Sequence, residues 1–449
     1  MAVLSKATEP VDSARKQPAP PDKERYWDLL PRSPAAILAH ALKGALRAFT
    51  VAYGARAVFT LILRLLAVLR GKSSFGDALV VALRGTPTLR FGAAFGVFAF
   101  VWKLVNHALR EIRGIDDRWN NFIGGFLGGF ALLIESPQYR VTYAQQFFVR
   151  ALQASYASLH ARNLISIPYG GALLFMAAGS QTMYAYMMKP NTLPPDFYKF
   201  MVKAARVPDA VLRYNAHNVI HGCVDPAKGL ELVKRYKGTA RNMACVASMS
   251  STPGIVPCAL VHPRFDSCIA ACAELWLRVF QMIAPVYTSL NFAPMLTLHL
   301  FKFIREPLPL LRKAFLNTLR SSSFLATYVG SFLVLICAER NVSQWIGRII
   351  GRRLGDSKLL IYLFCWLNGL AIFIEHPTRR VELGLYVLPK AAESLFAVMV
   401  QRRLAVVVPY GEVGLFAIGM GIIMSFYQAE PEYLTPMMRR LMRPFFGRF

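Results

Sequence analysis

Five of the seven cysteines and three of the eight histidines fall within residues 206–274, and their types suit metal ligation. The run reads His217-x-x-x-His221-x-Cys223, Cys245, then Cys258-x-x-x-His262-x5-Cys268-x-x-x-Cys272. Residues four apart share a helix face, so His217/His221 and Cys268/Cys272 could each present two ligands to one zinc ion. The spacing differs from the paired Cys-x-x-Cys knuckle, and Cys268 and Cys272 open an apolar run in which they could pack as core. Bound zinc, one or two disulfides and reduced thiols are therefore all open readings. Cys337 and Cys365 lie inside apolar runs and read as small hydrophobes.

His221 and His262 each precede an acid, Asp225 and Asp266, by four residues. A histidine oriented by an acid can serve as a general base toward a lipid hydroxyl. Membrane acyltransferases use a spacing one residue longer together with further motifs that this chain lacks. The sequence also has no Gly-x-Ser-x-Gly elbow, phosphate loop or His-Glu-x-x-His. The expectation is a protein that is not an enzyme and has no catalytic residues.

A repeat frames this insert. Gly129 to Val141, with Glu135-Ser-Pro137 and Arg140, recurs at a constant offset as Gly369 to Val381, with Glu375-His-Pro377 and Arg380. Beyond a one-residue shift, Pro168-Tyr169-Gly170, Met183, Tyr186, Pro190 and Pro195 recur as Pro409-Tyr410-Gly411, Met424, Tyr427, Pro431 and Pro436. Apolar helices align by chance through Leu, Ala and Phe; Glu-x-Pro-x-x-Arg and Pro-Tyr-Gly in register point to duplication. Each copy reads as four helices. Glu135/Arg140 and Glu375/Arg380 are equivalent charges at a helix end, where a salt bridge across the turn or a shared polar groove would explain them. Gly92/Gly96, Gly124/Gly128 and Gly125/Gly129 repeat the small-xxx-small spacing that lets helix backbones approach closely.

What must position these residues is set by composition. The 449-residue chain is 55% hydrophobic and 17% charged, with a mean hydropathy of +0.37. Ordinary soluble domains carry about 25% charged residues, so much of this chain has lipid as its solvent. Leu164–Met188 and Val279–Leu298 are uncharged and long enough to span; Ser321–Ala338, Trp119–Ile134, Leu359–Ile374 and Val413–Ala429 are shorter candidates. Val141–Leu159 and Phe91–Val105 each carry one basic residue, and Arg47–Arg70 fits an interfacial amphipathic helix as well as a span. Eight to ten membrane helices are expected. Lys and Arg outnumber Asp and Glu 52 to 25, clustering between the apolar runs, which suits anionic lipid headgroups and not nucleic acid. The Pro-rich first residues read as a solvated tail without a signal peptide.

Taken together, these residues resemble the transmembrane protein 135 family and, more distantly, the superfamily joining small peroxisomal membrane proteins to inner-membrane translocase channels. The resemblance is carried by Leu109–Asp117 with Phe122–Gly129, by Cys258–Phe280 with Cys268-x-x-x-Cys272, and by Glu375–Tyr427. The order of the two halves looks permuted against the family pattern. The resemblance implies a multi-spanning peroxisomal membrane protein, or a mitochondrial one, linked to lipid handling. It also implies a lipid-exposed groove, at positions matching Gly92, Gly96, Gly124, Gly125, Gly128 and Gly129. Membrane lipids, and other organelle membrane proteins, are the partners it implies.

The expected architecture is all-α and polytopic: two homologous four-helix units, related by a pseudo-two-fold, with a Cys/His-containing insert between them. The boundaries read as a polar tail (1–40), a first membrane unit with a preceding amphipathic helix (41–205), the insert (206–274) and a second unit with a preceding helix (275–449). A groove or path for a lipid or protein segment is the leading function. A solute transporter using alternating access and a membrane scaffold are the alternatives.

Overall fold

The computed structural model describes residues 31–447, apart from 70, 72, 206, 299 and 351–356. Most of the expected polar tail lies outside the described residues, and Pro34 already opens a helix. Every regular element among the described residues is helical. In chain order they are α1 Pro34–Leu69, α2 Phe75–Arg84, α3 Thr86–Arg113, α4 Arg118–Gly129, α5 Pro137–Ala161, α6 Gly170–Met188, α7 Pro195–Ala205, α8 Asp209–His221, α9 Pro226–Arg235 and α10 Ala240–Ala247. There follow α11 Cys268–Leu298, α12 Leu300–Arg305, α13 Pro307–Ile350, α14 Lys358–Asn368, α15 Pro377–Gln401, α16 Gly411–Ala429 and α17 Pro436–Phe446. Short 3-10 turns, Phe130–Ile134 and Gly369–Ile374, extend α4 and α14.

Local chemistry sets the breaks. Gly114 ends α3 in the left-handed region at φ 62°, where a side chain would be strained. Asp117 then caps α4, accepting the backbone N–H groups of Trp119 and Asn120 at 3.1 Å each. Pro137 and Pro377 occupy the first turns of α5 and α15, where the missing N–H is no loss.

Among the described residues six helical stretches are long and apolar enough to cross a membrane: Pro34–Leu65, Phe75–Arg113, Cys268–Ala293, Pro307–Val342, Pro377–Gln401 and Gly411–Ala429. This corrects the expectation of eight to ten. Trp119–Ile134 and Leu359–Ile374 each break into a short helix and a 3-10 turn. Leu164–Met188 yields α6, which has 19 residues like α16 but is less apolar. Polar Ser180-Gln181-Thr182 lowers its hydropathy.

The chain divides into two compact units. Unit 1 takes the described residues of Met1–Arg162 together with Tyr410–Phe449, so α1–α5 close with α16 and α17. Its core gathers Phe98 and Trp102 of α3, Leu132, Met420 and Met424 of α16, and Phe446 of α17. Unit 2 is Asn163–Pro409. There α6 packs on α14 and α15, and α11 packs on α13. The sequence grouped each fourth helix with its own copy and placed boundaries at 205 and 274. In the structure α6 belongs to unit 2 and α16 to unit 1, and glycines allow each to approach its neighbours closely. A Cβ on Gly384 of α15 would lie 3.2 Å from Leu174 of α6, and one on Gly421 of α16 would lie 3.0 Å from the Phe122 carbonyl of α4.

Candidate metal centre and apolar cavity

The six glycines singled out by spacing all face neighbouring helices of unit 1. A Cβ on Gly92 would lie 3.0 Å from Tyr53 Cβ, and one on Gly96 3.2 Å from Phe49 Cβ, both on α1. Gly124 and Gly128 meet the Trp102 and Phe98 carbonyls of α3 at 3.0 and 3.1 Å. Gly125 meets the Met420 carbonyl of α16 at 2.8 Å, and Gly129 abuts the backbone of Ala417. These contacts are helix packing, and none of the six lines the large cavity described below.

Glu135 and Glu375 are equally buried, at 2% exposure. Each carboxylate accepts the backbone N–H of the next residue, at 3.0 Å from Ser136 and 2.9 Å from His376. Arg140 donates to the Glu135 and Leu133 carbonyls (2.8 and 2.6 Å), and Arg380 to those of Glu375 and Phe373 (3.0 Å each). The arginines therefore satisfy orphan carbonyls at the end of a 3-10 turn, and no Glu135–Arg140 or Glu375–Arg380 ion pair occurs among the described contacts.

In unit 2 the ligand atoms of Cys258, His262, Cys268 and Cys337 lie within 4.8 Å of one another. Cys258 opens a 3-10 turn, Cys268 begins α11, and Cys337 projects from α13. The intervening loop is pinned to α10. The Asn242 amide donates to the Pro263 and Phe265 carbonyls at 2.8 and 3.1 Å, and the Thr239 hydroxyl pairs with Asp266. Asp266 is thus engaged away from His262. Asp225, the other acid spaced four from a histidine, caps α9 by accepting the Ala227 N–H at 2.9 Å.

His262 Nδ1 lies 3.0 Å from the Phe265 carbonyl, which can only accept, so the proton sits on Nδ1. Nε2 is buried without a hydrogen-bond partner. That is the tautomer of a metal-bound imidazole fixed by an outer carbonyl. Asn341 Nδ2 points at Cys268 Sγ from 3.8 Å, as an outer donor to a thiolate would. The neighbouring Cys337 thiol, the His262 ring and the Arg340 guanidinium hold the Cys258 thiol well below its ordinary range. Burial pushes His262 down, but the sulfurs of Cys258 and Cys268 outweigh it and raise the ring to about 9, so without an ion Nε2 holds a second proton toward the sulfurs, the proton a metal would displace. Three thiols and one imidazole are a Cys3His set, the donor chemistry of a closed structural zinc site.

The other expected ligands lie elsewhere. His217 and His221 stack at the end of α8 with ring centroids 4.5 Å apart, and His217 Nδ1 meets the Cys223 carbonyl at 2.9 Å. Cys272 is one turn beyond Cys268, outside the group of four. All seven cysteines are free thiols. Cys337 escaped sequence reasoning because nothing near it in the chain carries ligand spacing.

Beside this cluster, unit 2 encloses an apolar cavity of about 490 Å³. One wall is a stripe on α13: Phe324, Tyr328, Phe332, Ile336 and Arg340, each one turn from the next. The opposite side includes Val286 and Leu290 of α11 and Tyr386 of α15, exposed by 51%, 61% and 62%. These exposed lining residues bring one side of the cavity to the surface of unit 2. Arg340 is the charged lining residue at the other end, 4% exposed. Its Nη1 donates to the Pro257 carbonyl at 3.2 Å and its Nη2 to Asn215 Oδ1 at 2.7 Å, while Nε has no partner.

The chain is therefore a multi-spanning membrane protein, all-helical among its described residues, in which a Cys/His cluster adjoins an apolar cavity that reaches the surface of unit 2. Residues 35–151 match the Tim17/Tim22/Tim23/Pmp24 family. Residues 259–400 match the N-terminal cysteine-rich region of Transmembrane protein 135. The chain is thus similar to both families, as the sequence resemblance held. The segment described as N-terminal in its own family stands here in the second half of the chain. No solved structure matches.

Proposed function

We propose that this chain is a non-enzymatic organelle membrane protein that handles lipid, taking acyl chains from the bilayer into the cavity of unit 2. The observation that carries this is the cavity itself, about 490 Å³ of almost wholly apolar space opening beside Val286, Leu290 and Tyr386. Its volume is in the range of ligand sites for single small molecules, and its mouth lies on α11 and α15, both long enough to span. The likeness of residues 35–151 to a family whose name includes Pmp24 supports a peroxisomal membrane, with the mitochondrial membrane as the alternative.

We further infer that Cys258, His262, Cys268 and Cys337 hold a zinc ion that ties the insert to α11 and α13. The bare, buried Nε2 of His262 and the Cys3His donor set support this. The ion's role is structural, since four protein ligands leave no open position for chemistry.

The test is native mass spectrometry and lipid extraction of the full chain purified from membranes, alongside the Val286→Trp variant that plugs the mouth. Co-purifying acyl lipid that Val286→Trp excludes is the expected result. Equal lipid content in the two proteins, or none in either, refutes the cavity as a lipid site.

A further inference from the structure

Unit 1 and unit 2 each bury an arginine on the corresponding long helix, and the two are treated differently. Arg110 of α3, 2% exposed, is paired with Asp116 at 3.1 Å, and Gln428 in turn donates to that carboxylate. Arg340 of α13 donates to neutral oxygens, the Pro257 carbonyl and the Asn215 amide, and the acidic group its charge acts on is the Cys258 thiol. Among the described residues no carboxylate lies within ion-pairing distance of it. Its guanidinium is shared between the Cys/His cluster on one side and the apolar cavity on the other, where, among the described residues, it is the one charged lining residue.

The stripe below it gives that cavity direction. From Arg340 to Phe324 the lining residues follow every fourth position of one helix, about 24 Å at 1.5 Å per residue. Glu339 and Arg340 close the uncharged run Ser321–Ala338 of α13, and at the end of such a run a membrane helix reaches headgroup level. A charged end at headgroup depth and an apolar track longer than half of a roughly 30 Å hydrocarbon core describe an amphiphile lying along α13.

We propose that the cavity of unit 2 selects a long single-chain amphiphile with an anionic head, a carboxylate or a phosphate monoester, whose oxygens take Arg340 as counter-ion. The chain lies against Ile336, Phe332, Tyr328 and Phe324. This deepens the lipid reading above and rests on it. Arg340 is the specificity-determining residue; the apolar wall supplies affinity without head preference. Charge-assisted hydrogen bonds to a buried guanidinium are the strong ones, so the head decides which chains stay.

The test uses full-length protein in nanodiscs of neutral phosphatidylcholine and displacement of a fluorescent fatty acid. The competitors are palmitate, the 16-carbon lysophosphatidate and hexadecanol. The expected result is that one or both anions displace the probe at concentrations at least tenfold lower than hexadecanol. Whichever anion displaces better identifies the head. Arg340→Met abolishes the difference and leaves hexadecanol unchanged, while Arg340→Lys retains part of it. Equal displacement by acid and alcohol in the wild type overturns the proposal while leaving the acyl site standing. Failure of every competitor, with no binding of the probe, instead removes the lipid reading beneath it. Zinc content and thermal midpoint are measured on each variant. If Arg340→Met loses zinc and Arg340→Lys restores it without restoring head preference, Arg340 is a counter-ion of the thiolates and the proposal is wrong.

Discussion

Gly129→Ala tests the packing of unit 1 at its tightest point. The new methyl group would meet the backbone of Ala417 on α16, with Ala417 Cβ at 2.9 Å and its amide nitrogen at 3.1 Å. Backbone cannot rotate aside as a side chain can, so α4 and α16 must separate. Gly54→Ala on α1 is the control, since nothing lies within 4 Å of a Cβ there. Both changes gain the same helix propensity, about 0.5–1 kcal/mol, which cancels in the comparison. What remains is the overpacking term, about 1–3 kcal/mol. For a body of this size about 1 kcal/mol moves the midpoint by roughly 2–4 °C. Thermal unfolding in lipid nanodiscs, followed by the fluorescence of buried Trp102, should put Gly129→Ala several degrees below wild type and Gly54→Ala at or above it. Coincident midpoints for the two variants would mean that α16 does not seat on α4 as described.

Arg380→Met removes two hydrogen bonds from a guanidinium to the Glu375 and Phe373 carbonyls and a cation over the Phe373 ring, 4.9 Å from its centroid. With charged hydrogen bonds contributing about 1.5–3 kcal/mol each and water replacing some of that at this half-buried site, a loss of about 2 kcal/mol is expected from denaturation midpoints. Arg380→Lys should fall between. Zinc measured by plasma mass spectrometry should be one per chain in wild type and absent in Cys337→Ser, while Cys272→Ser, whose thiol lies outside the cluster, should keep it. Asp117, bonded to Arg113 at 2.8 Å and capping α4, has its carboxyl held below the ordinary aspartate range by that arginine. Because its folded value is lowered, its stabilisation is complete above the unfolded value near 4 and is lost as pH falls through the folded one. Asp117→Asn should therefore flatten the acid limb of stability, and an unchanged limb would show that Asp117 contributes nothing there.

Much of this was legible in the sequence because membrane helices announce themselves by uncharged runs and their ends by proline and glycine. Glu135 and Glu375, Arg140 and Arg380 could be placed at helix ends from the repeat alone. What they bond to could not, because an arginine five residues after a glutamate fits a carboxylate or a carbonyl equally well. Cys258, His262 and Cys268 were visible as candidate ligands since they share one polar stretch. Cys337 was not, since its helix reads as a span and its proximity is created only by α11 packing on α13. The span count was too high because an uncharged run does not reveal a 3-10 turn, and because α6, though uncharged, carries Ser180-Gln181-Thr182 at its middle. The fourth helices were assigned to their own copies for a similar reason: resemblance between segments says which are alike, and only packing says which are neighbours.

That exchange bears on the permuted order. The match at 35–151 runs from α1 into α5, and the match at 259–400 runs through α11 to the end of α15. Each match leaves out a helix of its unit: α16, which follows the first match near the other end of the chain, and α6, which precedes the second. Which helices share a core is therefore not set by the order in which the two matched segments follow one another. What differs between the units is what fills corresponding positions. Unit 1 answers its buried Arg110 with Asp116 and packs its glycines shut, whereas unit 2 leaves Arg340 facing a cavity beside a Cys3His cluster. The difference between the two units in what surrounds a buried arginine is why the proposed lipid site is sought in unit 2.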